Sequence, residues 1–136
     1  MVEYILDTNI CIYIIKKKPF EVFERFKLLT LGSVGISSIT LSELTYGAEK
    51  SNFPVKNMEA LMRFISPLEI LEFNEHAAFE YGKIRTSLEK QGRIIGAMDL
   101  LIAAHAKSLS TCLVSNNLKE FSRIEGLKTE NWVEKR

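Results

Sequence analysis

The sequence predicts one α/β domain over residues 1–136, built on a mainly parallel β-sheet that is flanked by α-helices. Three observations lead to this prediction. Apolar segments of about five residues alternate with longer segments of helical periodicity, as parallel strands joined by helices require. A chain of 136 residues can bury a core without disulfides or a structural metal. The composition, 46% hydrophobic and 26% charged, is ordinary for a folded globular protein.

The N-terminal half contains two predicted strands, residues 2–6 and 33–37, and four predicted helices, residues 9–15, 20–29, 40–50 and 57–66. The first strand is a short apolar segment that stops at Asp7. The first helix ends at three lysines followed by Pro19, which cannot continue a helix. Thr40 and Glu43 have the spacing of a capping box, so the third helix is predicted to begin at Thr40.

The C-terminal half contains three predicted strands, residues 68–73, 111–114 and 127–130, and three predicted helices, residues 75–91, 98–109 and 118–122. Ala77, Tyr81 and Ile84 repeat at helical spacing in the first of these helices. Gly92 and Gly96 then separate it from the next helix. Strands and helices therefore alternate along the whole chain.

Charge and cysteine content limit the possible classes of function. The formal net charge is +1, so any nucleic-acid binding has to come from local basic patches. Cys11 and Cys112 lie in apolar segments without a metal-binding companion, and we expect free thiols in a reducing compartment. No secretory signal pattern is present, and the longest apolar stretch, residues 100–106, is too short to cross a bilayer. We expect a cytoplasmic protein with no membrane association.

Acidic and amide side chains occur where predicted strands end. Asp7 ends the first strand, Glu43 follows the second, and Asp99 opens the helix before the fourth strand, which Asn117 and Glu120 follow. In open parallel sheets, ligands bind at the carboxyl ends of the strands. These five residues are therefore candidates for a single site.

Each acidic residue also has an ordinary structural explanation. Asp7 could cap the helix that follows it, and Glu43 has the position of the acidic residue in a capping box. Glu120 could be an exposed charge on a helix. Asp99 suits the positive end of a helix dipole, but it shares a helical face with small apolar residues and is expected to be partly buried. No basic residue follows it at helical spacing, so a buried charge there needs a cation or a distant partner.

Taken together, the carboxylates indicate a metal site. Asp7, Glu43 and Asp99 would repel one another at one sheet edge unless a cation lay between them. Oxygen ligands without a histidine or cysteine at plausible spacing favour Mg²⁺ or Mn²⁺ over zinc. A site of this kind suits the metal-assisted hydrolysis of a phosphodiester bond.

Four motifs resemble a known family: Leu6-Asp7-Thr8-Asn9; Ser42-Glu43-Leu44-x-x-Gly47; Gly92-x-x-Ile95-x-x-x-Asp99-Leu100-x-Ile102-Ala103-Ala104-His105-Ala106; and Leu113-Val114-Ser115-Asn116-Asn117-x-x-Glu120-Phe121. Their order and spacing resemble the PIN-domain family, and within it the VapC toxins. The resemblance implies a PIN fold with a five-stranded parallel sheet and a Mg²⁺- or Mn²⁺-dependent endoribonuclease that acts on structured RNA, often tRNA. It also implies a homodimer and a VapB-type antitoxin that blocks the site, with a larger assembly on operator DNA.

The resemblance also assigns roles to individual residues. Asp7, Glu43 and Asp99 match the acidic core of the family, and Glu120 matches a further acidic position. Asn117 stands where many PIN domains have a fourth aspartate, and Ser115 stands where the family usually has a hydroxyl side chain. Because an amide binds metal more weakly than a carboxylate, the number of metal ions stays open.

RNA binding requires basic side chains near the acidic residues. Lys16 and Lys17 follow the first helix, and Lys90 and Arg93 precede Asp99, so these four residues are candidate substrate contacts. A solvated helix face and the preference of cations for helix ends explain Lys16 and Lys17 equally well, whereas proximity in sequence to Asp99 favours substrate contact for Lys90 and Arg93.

Two other functions are weighed. A haloacid-dehalogenase-like phosphatase needs a second aspartate two residues after Asp7, where the chain has Asn9. A catalytically inactive RNA-binding module with the same fold is the other alternative, and the intact set of carboxylates argues against it.

Overall fold

The computed structural model describes residues 1–134. The strands are β1 (Tyr4–Leu6), β2 (Val34–Ser37), β3 (Glu69–Leu71), β4 (Cys112–Val114) and β5 (Thr129–Glu130). The helices are α1 (Thr8–Lys16), α2 (Phe20–Lys27), α3 (Ser38–Glu49), α4 (Pro54–Ile65), α5 (Glu75–Lys90), α6 (Ala97–Ser108) and α7 (Leu118–Phe121).

The strands form one parallel sheet in the order β3-β2-β1-β4-β5. In the central strand, Ile5 pairs with Gly35 on one side and with Leu113 on the other. The predicted α/β class and the five-stranded parallel sheet are thereby confirmed. The chain adds β2 and β3 to one side of β1 and then returns to add β4 and β5 to the other. The carboxyl ends of β1 and β4 therefore flank the point where strand order reverses, which is where ligands bind in open α/β sheets.

Apolar side chains fill a layer on each face of the sheet, because successive residues of a strand point to opposite faces. Ile5 and Leu113 pack with Ile102 of α6 on one face. Leu6 and Val114 pack on the other face with residues of α1, α3 and α4. All four strand residues are fully buried. The short strands thus act as a rigid base for the segments that follow them.

A close approach between β2 and β3 excludes any side chain at Gly35. A Cβ atom built there would lie 2.8 Å from the backbone oxygen of Glu69 and 3.2 Å from Leu71 Cδ1. The first of these distances is too short for a carbon and a backbone oxygen. Glycine at this position therefore allows the two strands to pair.

The predicted start of α3 is wrong. The helix begins at Ser38, and the backbone amide of Ile39 donates to Ser37 Oγ at 3.1 Å, so Ser37 is the capping residue. Thr40 lies inside the helix, fully buried, and within residues 1–134 its hydroxyl has no hydrogen-bond partner. The capping-box explanation of Glu43 therefore fails. The predicted helix at residues 57–66 also begins earlier, at Pro54, a residue suited to the first helical position.

The cysteines are free, as predicted, with Cys11 buried and Cys112 half-buried. Burial raises the pKa of Cys112 to about 11, so its thiol stays protonated at neutral pH. None of the helices described within residues 1–134 combines the length and apolar character needed to cross a membrane.

Candidate active site

Asp7 lies directly after β1 and is 4% exposed. Its Oδ1 accepts a hydrogen bond of 2.9 Å from the backbone amide of Ile10, so Asp7 also caps α1. Burial raises the pKa of Asp7, a hydrogen bond from Ser115 opposes the rise, and the charge of Glu43 adds to it. The two explanations weighed for Asp7 are thus compatible, because one oxygen caps the helix and the carboxylate still belongs to an acidic group.

Glu43 lies in the second turn of α3 and is half-buried. Its Oε1 accepts a hydrogen bond of 2.5 Å from the hydroxyl of Thr8, the first residue of α1. This contact joins α1 to α3 and brings Glu43 towards the carboxyl end of β1. Sequence reasoning did not single out Thr8, although Thr8 follows Asp7 directly in the first motif.

Asp99 lies in the first turn of α6 and is half-buried. Its pKa is raised from 3.8 to about 6, first by burial, then by a hydrogen bond with Glu120, and also by the charges of Glu120, Asp7 and Glu43. These four residues, which we call the acidic cluster, are therefore close enough to repel one another. None of the ion pairs found within residues 1–134 involves the acidic cluster.

Asn117 and Ser115 border the acidic cluster on the β4 side. Asn117 Nδ2 donates to Glu120 Oε2 at 2.8 Å, and the Asn117 backbone amide donates to Ser115 Oγ at 2.8 Å. Glu120 is half-buried and connects Asn117 with Asp99. An isolated, exposed helical charge therefore does not describe Glu120. The structure thus brings together all six residues predicted for the catalytic site.

A buried hydrogen bond connects the two helices that carry Glu43 and Asp99. His105 Nδ1 of α6 lies 2.7 Å from Ser37 Oγ, the oxygen that caps α3. Burial lowers the pKa of His105, and its ring packs edge-on against Phe73. His105 is therefore a packed neutral histidine.

The donors of the acidic cluster fit a hard divalent cation. Within residues 1–134, no three Asp, Glu, His or Cys side chains are already gathered tightly enough to hold a metal ion. The acidic cluster nevertheless offers only oxygen donors, and bound positive charge would offset both the burial and the neighbouring negative charges that raise the pKa of Asp99. The donor chemistry is that of Mg²⁺ or Mn²⁺ rather than zinc.

The four basic residues predicted to contact the substrate lie in different surroundings. Lys16 and Glu43 line the same cavity, of about 330 Å³. Lys17 ends α1, and its Nζ lies 5.2 Å from the centre of the Phe23 ring. Lys90 and Arg93 are exposed, and no ion pair among the described residues joins either of them to the acidic cluster. Of the four, Lys16 is the one seen to share a cavity lining with an acidic residue of the site among the described residues.

Comparison with known proteins identifies the family. The model of the PIN domain matches residues 4–127. The chain therefore belongs to the PIN-domain family. Ribonuclease VapC2 of Haemophilus influenzae is 50% identical over 133 residues, which cover 98% of this chain and 100% of that protein. The tRNA(fMet)-specific endonuclease VapC of Shigella flexneri is 48% identical over 132 residues, 97% of this chain and 99% of that protein.

Solved structures agree with this assignment. The VapBC2 complex of Rickettsia felis, bound to a DNA fragment from its promoter, contains a chain with a TM-score of 0.91 and 47% identity. The match covers 98% of this chain and 100% of that chain. DNA-bound VapBC from Salmonella typhimurium gives a TM-score of 0.92 at 47% identity, with the same coverage. Within the PIN-domain family, the chain falls in the VapC branch, which confirms the resemblance found in the motifs.

Proposed function

We propose that this chain is a Mg²⁺-dependent endoribonuclease, for which Mn²⁺ can substitute, and that it acts as the toxin of a toxin–antitoxin pair. One observation carries the proposal. The side chains of the acidic cluster come from four separate parts of the chain, and burial, together with the hydrogen bond and charge of Glu120 and the charges of Asp7 and Glu43, raises the pKa of Asp99 to about 6. Such repulsion is expensive unless the site binds positive charge. The names of the VapC ribonucleases among the relatives support RNA as the substrate.

In this proposal, Asp7, Glu43 and Asp99 hold the cation. When bound, the cation supplies positive charge to the phosphate being cleaved and increases the acidity of the attacking water. The protein contributes orientation. The Ile10 amide and the Ser115 hydroxyl fix the carboxylate of Asp7.

The remaining side chains orient the rest of the acidic cluster. Thr8 fixes one oxygen of Glu43, and Asn117 fixes one oxygen of Glu120. Glu120 in turn shares a hydrogen bond with Asp99. Preorganised carboxylates do not have to reorganise when substrate arrives, which is the main advantage of a site built on rigid elements.

We further propose tRNA as the substrate, because relatives at 48% identity are named tRNA(fMet)-specific endonucleases. Cleavage of a tRNA would inhibit translation, which is the expected action of the toxin.

The proposed activity is tested with purified protein and labelled tRNA in the presence of Mg²⁺, Mn²⁺ or EDTA. We expect cleavage with either cation and none with EDTA, and no cleavage by Asp7→Asn under any condition. Cleavage that survives the chelator would contradict a metal-dependent mechanism. Binding of RNA without cleavage of any RNA tested would favour the inactive RNA-binding module. Hydrolysis of a small phosphomonoester, with RNA left intact, would favour the phosphatase.

The partner of the toxin is proposed to be a VapB-type antitoxin, since the similar structures are VapBC complexes bound to DNA. A cavity of about 330 Å³ between α1, α3 and α4 offers a place for it. Ile12, Leu44 and Leu61 give the cavity an apolar lining, and Glu43 lies on its edge. An antitoxin segment that filled this cavity would lie beside the acidic cluster. Binding of operator DNA by the complex and homodimerisation of the toxin belong to the same proposal.

A larger side chain at Gly47 tests this placement of the antitoxin. Gly47 lines the cavity, and a Cβ added there has no heavy atom within 4 Å. We expect Gly47→Leu to weaken antitoxin binding while tRNA cleavage continues. Unchanged antitoxin affinity, measured by titration calorimetry, would place the antitoxin elsewhere.

A further inference from the structure

A second cavity, of about 230 Å³, lies between α5, the end of α6 and the segment after α7. Three basic side chains from these separate elements line it: Lys83, Lys107 and Arg123. Ser87 of α5 and Gln91, which follows this helix, add uncharged hydrogen-bonding groups, and Glu125 is the one acidic residue in the lining. The cavity is therefore positively charged in a chain whose formal net charge is only +1.

Two of the three cations of this basic cavity, Lys107 and Arg123, are in no ion pair among the described residues, whereas Lys83 pairs with Glu80. Arg123 donates from one guanidinium nitrogen to the backbone oxygen of Ile94 at 3.0 Å, which leaves other N–H groups of the fork available. The Lys107 ammonium lies beside Gly126, where an added Cβ would be 3.7 Å from Nζ. Within residues 1–134, neither Lys107 nor Arg123 has an ion-pair partner.

The preference of basic side chains for the C-terminal ends of helices does not account for all three basic residues of the cavity. Lys107 lies in the last turn of α6, where a cation interacts favourably with the helix dipole. Lys83 is instead in the middle of α5, 3.8 Å from Glu80, and Arg123 follows α7. Helix-end preference therefore does not explain why all three basic residues line one cavity.

Arg123 places one end of the basic cavity near the acidic cluster, whereas Lys107 is eight residues from Asp99 along α6, or about 12 Å of helix. Arg123 is three residues after Glu120, so the chain between their Cα atoms spans at most about 10 Å. An acidic cluster repels the phosphates of an approaching RNA, and fixed cations beside it offset that repulsion. At about 230 Å³ the cavity has room for a phosphate group and the water molecules around it.

We propose that the basic cavity binds a backbone phosphate of the RNA substrate, other than the phosphate that is cleaved, through Lys107 and Arg123, with Lys83 as a third basic lining residue. This inference rests on the proposed function only in taking RNA as the ligand. It assigns substrate contact to residues other than Lys90 and Arg93, which sequence proximity to Asp99 had favoured.

The test measures binding of fluorescein-labelled tRNA in EDTA, where no cleavage is expected, over a range of salt concentrations. The variants are Lys107→Gln, Arg123→Gln and the double variant, with Lys56→Gln, on the exposed face of α4, as the matched control. We expect the double variant to bind tRNA about tenfold more weakly. The slope of log affinity against log salt concentration should fall in magnitude by about one for each phosphate contact that is lost. Arg123→Lys keeps the charge and is expected to retain most of the salt dependence.

Cleavage assays with Mg²⁺ provide a second readout, in which the variants are expected to raise KM and leave kcat unchanged. Wild-type affinity in the double variant, or a loss no larger than that of Lys56→Gln, would overturn the phosphate site. A loss confined to antitoxin affinity would also overturn it and assign the cavity to the protein partner. If wild-type protein binds tRNA but does not cleave it, the proposed activity fails, and the salt dependence still tests the cavity.

Discussion

Replacing Asp99 by asparagine tests whether the acidic cluster destabilises the metal-free fold. The substitution keeps the shape of the side chain and removes its charge. In the folded protein the pKa of Asp99 is raised from 3.8 to about 6 by burial, by a hydrogen bond with Glu120 and by the neighbouring charges. The folded state therefore binds this proton more tightly than the unfolded chain. Stability must fall as the pH rises through the interval from 3.8 to about 6.

The size of the effect follows from the pKa. A rise of about two pKa units corresponds to about 3 kcal/mol at neutral pH, because each unit is worth about 1.4 kcal/mol. Asp99 is only half-buried, so water screens part of this repulsion, and about 1–2 kcal/mol is the realistic value. Asp99→Asn is expected to raise the free energy of unfolding by that amount above pH 7.

The measurement is urea unfolding of the wild type and Asp99→Asn in EDTA at pH 8 and pH 4.5. We expect the variant to be more stable at pH 8 and the difference to shrink at pH 4.5. Glu59→Gln, at an exposed carboxylate of α4, is the control and should change stability by less than about 0.5 kcal/mol.

Magnesium should make the wild type more stable than Asp99→Asn at pH 8. A ligand at a hundred times its Kd stabilises a folded protein by about 2.7 kcal/mol, and only the wild type is expected to gain this. A less stable Asp99→Asn at pH 8 in EDTA, or the same difference at both pH values, would refute the reasoning.

Three further substitutions address the surroundings of the acidic cluster. Ser37→Ala removes the hydroxyl that contacts His105 and caps α3. It should lower the free energy of unfolding, measured in urea, by about 1–3 kcal/mol. An unchanged urea midpoint would contradict a stabilising role for this hydroxyl. Thr8→Val loses the hydrogen bond to Glu43 and should weaken Mn²⁺ binding about 10- to 100-fold in calorimetry, whereas Thr8→Ser retains it. Asn117→Asp should strengthen Mn²⁺ binding, and equal affinity in both proteins would show that this position does not touch the ion.

The architecture was predictable from the sequence because strands and helices alternate, and this order restricts the sheet to parallel connections. The position of Asp7 at the carboxyl end of β1 followed from the same argument. The start of α3 was not predictable from spacing. Thr40 and Glu43 have the sequence of a capping box, but β2 continues to Ser37, and Ser37 Oγ already satisfies the helix start.

Contacts between distant segments were also beyond the sequence. Thr8 and Glu43 are 35 positions apart, and nothing in either motif indicates that their side chains meet. Lys107 and Arg123 were missed because proximity along the chain favoured Lys90 and Arg93. In the folded protein, α5 and α6 pack together and the segment after α7 closes over them, so spatial neighbours differ from sequence neighbours.

Gly35 has no functional group, yet it is closed to substitution because even a methyl group would collide with the backbone of Glu69. In a genetic selection for cells that survive the toxin, Gly35 variants would be recovered beside Asp7 variants. The former would survive because little folded toxin accumulates, and the latter because intact toxin is inert. A map of intolerant positions would therefore mix two causes, and the amount of soluble toxin in each surviving clone separates them.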